Sequence, residues 1–408
     1  MTTTAPPTQP HATDGRTARR GDRPPYPKTE RQAEFMALAD RMAVVAAENA
    51  PAHDRENTFA HDSFAALRES GYLALTVPEE YGGRGATPLE MMLAQERLAR
   101  GDGSVALALT MHLVVIGGLA DSRAWPEPLF ERVCREVVAE GALVNGVASE
   151  PDLGSPSRGG QYATLAVPAG GGWLVNGRKT WTTLSPELRY AATLLGIQAE
   201  DGSIGRGQLL ILMDSPGVRI EETWDNLGMR STGSHEVVFE DVFVPHDARL
   251  PGSANPPGRA TSGWNLLGSA VYLGIAEAAR DFTVRYARER RPTAVGGPIA
   301  EIPSVQHRVA RMEILLFQAR AALYAAAETH ATYPEHREAL GWQLAAAKYT
   351  VTNHAIAVTD MALRVVGSSG LQKQYSLERY FRDVRAGLGN PPIDDVALTL
   401  IGKAALGL

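Results

Sequence analysis

A single cysteine, Cys134, stands in 408 residues. That excludes an internal disulfide and any cysteine-rich metal site, and it makes a reducing cytoplasm the expected setting. Basic excess is also missing: 40 Lys and Arg against 46 Asp and Glu leave a net charge of −6. A nucleic-acid footprint would be basic, although local arginines leave an anionic small ligand open. No stretch reads as the roughly 20 apolar residues of a membrane span. Arg19-Arg20 lacks the apolar run that a twin-arginine export signal needs. The expectation is a soluble cytoplasmic protein with no nucleic-acid, membrane or metal partner.

What is present falls into segments. Residues 1–27 are rich in Thr, Pro, Ala and Arg and read as a disordered tail. Residues 28–140 carry helical periodicity: Phe35, Leu38, Met42, Val45 and Ala46 share one face. Asp62 or Ser63 is the expected cap of a second helix ending at Gly71, and Thr87-Pro88 opens a third. Residues 141–255 change to strand alternation around the triple glycine Gly170 to Gly172. In this stretch Asn176-Gly177 favours a hairpin turn, and the spacing implies a small sandwich or barrel. Residues 256–408 return to long helices. One stripe runs through Val309, Met312, Leu316, Ala319 and Leu323. Another runs from Leu340 through Leu344, Ala347, Val351, Ala355, Val358 and Ala362 to Val365, as in a bundle. The fold class is α+β: helical domain, β domain, helical bundle.

Five motifs follow this order: "VPEEYGGRG" (77–85), "VASEPDLGS" (147–155), "VNGRKTWTT" (175–183), "LGMRSTGSHEVVFEDVFVP" (227–245) and "ERYFRDVR" (378–385). Together they resemble the acyl-CoA dehydrogenase family, FAD enzymes that form homotetramers, over residues 30–405. An isoalloxazine needs a flat apolar face and donors along its edges, where reduction places charge. The resemblance assigns Ala148 and Ser149 to the pyrimidine edge, Trp181 to the ring, Thr183 to the neighbourhood of N5 and Ser155 to a phosphate. It assigns Arg290 or Arg291 to the pyrophosphate. Gly367, Gly370 and Arg364 fall to the adenine half, from a neighbouring subunit. Arg382, Asp383 and Arg385 read as a structural ion-pair cluster, and Arg158 as a surface arginine with a CoA phosphate as its other possible partner.

The departure lies at the catalytic base. The family's dehydrogenases need a carboxylate within reach of a substrate α-proton, in most members a Glu eight residues after the Asp of the R-D pair. Here that position is Pro391. The alternative place, early in the first bundle helix, is Trp264. Asp394 and Asp395 are the displaced-base candidates, their other role being to open the last helix. His112, on a helix expected near the flavin, is a third candidate. The first expectation is therefore FAD-dependent dehydrogenation at Cα–Cβ of an acyl group carried on CoA or a carrier protein, with an electron acceptor flavoprotein. The alternative is a flavin-dependent monooxygenase of the same fold, using FAD or FMN reduced by a flavin reductase to oxygenate N, C or S. A non-catalytic binding or scaffold protein is the third reading.

Overall fold

The computed structural model describes residues 26–153, 160–251 and 262–408. Five helices open it: α1 (Glu30–Glu56), α2 (His61–Glu69), α3 (Pro88–Ala99), α4 (Gly103–Ser122) and α5 (Glu127–Glu140). Thr29 caps α1 by accepting from Gln32 N, and Thr87 with Glu90 closes a reciprocal capping box on α3, each satisfying amides that a first turn leaves free. α2 starts earlier than expected, with Ala60 rather than Asp62 or Ser63 at its cap position. Asp62 therefore lies in its first turn and holds the adjacent Ser63 amide at 2.6 Å, while Gly71 sits past the end at φ +74°.

Two expectations are corrected in this domain. Packed structure reaches into the supposed tail at Tyr26, which is buried, its ring 4.9 Å from Tyr324 and its hydroxyl bonded to Glu328. An aromatic anchor of this kind outweighs the polar composition around it. α4 is long and apolar enough to cross a membrane. Most of it is buried, against α3, β1 and the bundle, so α4 is the central helix of a packed core.

The strands β1 (Leu143–Val147), β2 (Leu165–Ala169), β3 (Gly172–Thr182), β4 (Leu188–Gln198), β5 (Ile204–Leu212), β6 (Val218–Glu221), β7 (His235–Pro245) and β8 (Arg249–Leu250) form one sheet. Their order is β6-β7-β3-β2-β4-β5-β8, with β1 parallel to β4; β5 also approaches β7, which curls the sheet on itself. Gly170-Gly171 turns the β2–β3 hairpin. Asn176-Gly177 does not turn the chain: it lies inside β3, where the register with β7 shifts. A Cβ on Gly177 would stand 2.5 Å from Thr164 Cα, so glycine serves a bulge and a close approach here.

The bundle comprises α6 (Leu267–Glu289), α7 (Pro303–Thr332) and α8 (Gly341–Val366), then α9 (Leu377–Asp383) and α10 (Asp394–Leu406). The stripes foreseen on α7 and α8 are buried at Met312, Leu316, Ala319 and Leu323 and from Leu344 to Ala362. Each large side chain in them removes apolar surface worth about 2 kcal/mol. Gly228 packs so close to α9 that an added Cβ would meet the Arg382 carbonyl at 2.7 Å. This brings the β domain and the bundle together around a cleft.

Candidate functional site

A cleft of about 770 Å³ lies where the three domains meet. Leu107 of α4 reaches it from the N-terminal domain. The β domain contributes the turn after β1 (Ser149 to Pro151), the end of β3 and the Trp224–Met229 loop. The segment after α9, ending in Asn390 and Pro391, closes the other side. Of the residues expected at a flavin, Ser149, Trp181 and Thr183 line this one cleft; Ala148 adjoins Ser149 as β1 ends.

Local structure explains their placement. Asn145 Nδ2 donates to the Thr183 carbonyl at 2.9 Å, and the Thr180 amide donates to the Ser149 carbonyl at 2.9 Å. These bonds tie the end of β3 to the turn after β1. Lys179, fully buried, fixes the same turn through Glu150 at 2.6 Å, and Glu150 also accepts the amides of Ala163 and Thr164. Trp181 sits at φ +58°, a backbone region costly for a bulky residue. It leaves its indole 62% exposed, edge-on to Trp224 with centroids 5.1 Å apart. Strain that holds a large apolar ring out toward an open cleft marks a face prepared for a flat partner. The Thr183 hydroxyl meets Ser234 Oγ at 2.8 Å, and Ser234 meets Thr232 Oγ1 at 2.8 Å. A flat aromatic face beside rotatable hydroxyl donors is the donor set that an isoalloxazine requires.

Trp224, Asn226 to Met229, Leu107 and Asn390 were not foreseen as lining. Leu227 to Met229 open a quoted motif and Trp224 and Asn226 lie just before it, but only the tertiary fold turns them inward. Trp224 Nε1 donates to the Met229 carbonyl at 2.9 Å, and Asp383 Oδ1 accepts the Met229 amide at 2.7 Å. Asp383 is fully buried, and burial pushes its carboxyl up to about 7. The expected Arg382–Asp383–Arg385 cluster is therefore corrected. Arg382 pairs with Asp54 at 2.6 Å and Glu378 at 2.7 Å, and Arg385 pairs with Asp360 at 2.8 Å.

The base candidates lie elsewhere. Asp394 accepts from Asn353 at 3.1 Å and stands 3.9 Å from Lys348 Nζ, both on α8. Asp395 is exposed on the first turn of α10. Neither lines the cleft. His112 is fully buried away from it: Nε2 donates to the Leu73 carbonyl at 3.0 Å, and Nδ1 accepts the Val144 amide at 3.2 Å. Burial lowers its pKa to about 4, so it is a neutral pin between α4, β1 and the turn after α2. His112→Ala is expected to cost about 3 kcal/mol, because two buried backbone groups lose their partner; urea unfolding measures it. The carboxylates that do line the cleft, Glu150 and Glu236, are committed to Lys179 and Arg178.

Trp264, at the alternative base position, is buried with its ring against Gly117 and its Nε1 donating to Asp121 at 2.8 Å. Arg290, Arg291 and Arg364 are exposed, and Gly367 (φ +71°) has open space beside it. Gly370 packs against Leu363 and Leu377. One chain does not bring these five to the cleft. Ser155 and Arg158 lie outside the described residues.

Comparison with known proteins bears on this geometry. Residues 29–121 match the family model "Acyl-CoA dehydrogenase, N-terminal domain", 146–242 the middle domain and 266–388 the C-terminal domain. The chain is 42% identical over 378 residues to "Putative acyl-CoA dehydrogenase YdbM" of Bacillus subtilis (strain 168), covering 93% of this chain and 98% of that one. It is 33% identical over 373 residues to the amino sugar nitrososynthase RubN8 of Streptomyces rubradiris, covering 87% and 85%. The structure of KijD3 in complex with FMN and dTDP-3-amino-2,3,6-trideoxy-4-keto-3-methyl-D-glucose superposes with a TM-score of 0.81 at 28% identity, covering 93% and 95%.

Proposed function

The chain belongs to the acyl-CoA dehydrogenase family of flavin-dependent oxidoreductases, and from that membership we propose that it is a flavin-dependent monooxygenase. One observation carries the reading: among the described residues, no carboxylate in the cleft is free to take a proton from carbon. The two internal stretches outside the described residues, 154–159 and 252–261, contain no Asp or Glu. Oxygenation of an amine, sulfur or electron-rich carbon needs no such base. The nitrososynthase relatives support an amine as the first substrate class to try.

Bound flavin, FAD or FMN, would supply two-electron redox chemistry and, once reduced, reaction with O2. The chain's own residues would do the rest. Trp181 would hold the ring, and Ala148, Ser149 and Thr183 would offer it hydrogen-bonding groups. Leu107, Trp224 and Met229 would keep water from the reacting centre. The Asn390 amide, held by the Tyr272 hydroxyl at 2.5 Å, orients the substrate. Ile314 and Phe317 on α7 and Leu406 on α10 are exposed, which supports a homotetramer. In that assembly Arg290, Arg291, Arg364, Gly367 and Gly370 would meet a neighbouring subunit's cofactor.

Two arms test the proposal. Anaerobic mixing of flavin-loaded protein with an acyl-CoA panel is expected to leave the flavin band unchanged. Flavin reduced by a separate reductase, with O2 and an amino sugar or aryl sulfide, is expected to place one oxygen atom in product. Stoichiometric bleaching by any acyl-CoA would sink the oxygenase reading. It would establish the second, acyl-thioester dehydrogenation with an electron acceptor flavoprotein, which the 42% identity to YdbM favours. Asp394→Asn with Asp395→Asn should change turnover less than about twofold, since surface substitutions away from a site act weakly.

A further inference from the structure

A second cleft, of about 520 Å³, shares Asn226, Leu227 and Arg382 with the first as a common wall. Deep in its lining sits Arg379 of α9, 5% exposed. No hydrogen bond or ion pair to the described residues uses its guanidinium, and its Nε is sealed from solvent without a partner. Tyr380 covers it at 5.6 Å, and the attraction of Asp102, Asp383 and Asp54 acts on it from beyond ion-pair reach. A buried planar cation with open donors is costly unless an acceptor arrives.

The surroundings select the acceptor. Arg55, exposed in the last turn of α1, forms no ion pair with the described residues, and Lys373 reaches Glu378 only from a largely exposed position. Arg230 also lines the cleft. The two carboxylates in the lining, Asp54 and Glu378, are taken up by Arg382. Cationic side chains therefore dominate this cleft in a protein whose net charge is −6. Leu227, 64% exposed, and Tyr375 add an apolar and aromatic flank.

We propose that this cleft binds a small organic phosphate, with its phosphoryl group on Arg379 and its ring or apolar part against Leu227 and Tyr375. A guanidinium fork matches phosphate oxygens in pairs. Arg55 and Lys373 answer a second negative charge, which a carboxylate lacks. A volume of about 520 Å³ suits a small molecule rather than a peptide or nucleic acid. The inference needs only the fold and stands whether the first cleft oxygenates or dehydrogenates.

Calorimetric titration of the flavin-loaded full chain tests it, with pyrophosphate, AMP and adenosine as probes. AMP and pyrophosphate are expected to bind saturably, and adenosine at least about tenfold more weakly. Arg55→Ser with Lys373→Ser should weaken AMP binding by about tenfold or more, with thermal midpoint and flavin spectrum unchanged. Arg379→Gln should remove it; should that variant fail to fold, the rim pair still decides. Absence of saturable binding, equal binding of adenosine, or an unaffected rim variant would overturn the proposal. So would AMP binding to FMN-loaded protein that vanishes on FAD loading, because the cleft would then receive the adenylate end of the cofactor.

Discussion

Trp181→Gly should weaken flavin binding by about 30-fold while leaving the fold as stable as before. The two effects separate because one residue supplies both a ring and a strained backbone. Loss of an aromatic platform under a flat ligand costs roughly 2 kcal/mol, or about 30-fold in affinity. A left-handed backbone at an L-residue costs about 1–2 kcal/mol, and at φ +58° glycine releases that strain. The entropy lost by a glycine on folding, roughly 1 kcal/mol, offsets most of the release. Fluorescence quenching of added flavin measures the first effect and thermal melting the second. Unchanged affinity would remove Trp181 from the cofactor site. A lowered midpoint would show that the ring is a structural element and not a platform.

Arg382→Met carries the largest expected loss of stability, about 3–5 kcal/mol, because removing one partner leaves buried charge uncompensated. The guanidinium holds Asp54 through two nitrogens at 2.9 and 2.6 Å and Glu378 through two at 2.7 and 3.0 Å, and both acids are nearly inaccessible. It also donates to the Leu227 carbonyl at 2.8 Å. One side chain thereby joins α1, the loop before β7 and α9. Urea unfolding should report the loss. Adding Asp54→Asn and Glu378→Gln to the same variant should recover more than half of it, since no uncompensated carboxylate then remains. A change below about 1 kcal/mol in the single variant would show that these groups relax to water, and that the junction does not depend on them. Flavin affinity should fall alongside, because the Leu227 loop is a wall of the cleft.

The parts of the fold written in periodicity could be read directly. The α8 stripe is buried from Leu344 to Ala362 because a spacing of three and four has only one way to face a core. The candidate site was partly readable because Ser149, Trp181 and Thr183 sit in short motifs, and the structure brings these three to one cleft. What escaped depends on partners distant in the chain. Asn176-Gly177 carries the local signature of a turn, yet the approach of Thr164 makes it a bulge. Asp394 could point either way from the start of α10, and Lys348 and Asn353 decide its direction. Arg382 was grouped with its sequence neighbours, whereas its strongest partner, Asp54, lies 328 positions away. His112 is apolar by context and polar by type, and only the backbone carbonyl and amide beside it show why it is there.

The indole of Trp264 bears on any attempt to convert one chemistry into the other. A glutamate written at that position would leave much of the indole volume empty, because Gly117 offers no side chain to fill it. It would also set a new acid beside Asp121, which now accepts the indole N–H. Reprogramming this scaffold toward α-proton abstraction from residue 264, in the turn before α6, is thus at least a three-site redesign, with a filler at residue 117 and a neutral amide at 121. The proline at 391 is the simpler entry point for an engineer, since no packed ring has to be evicted first.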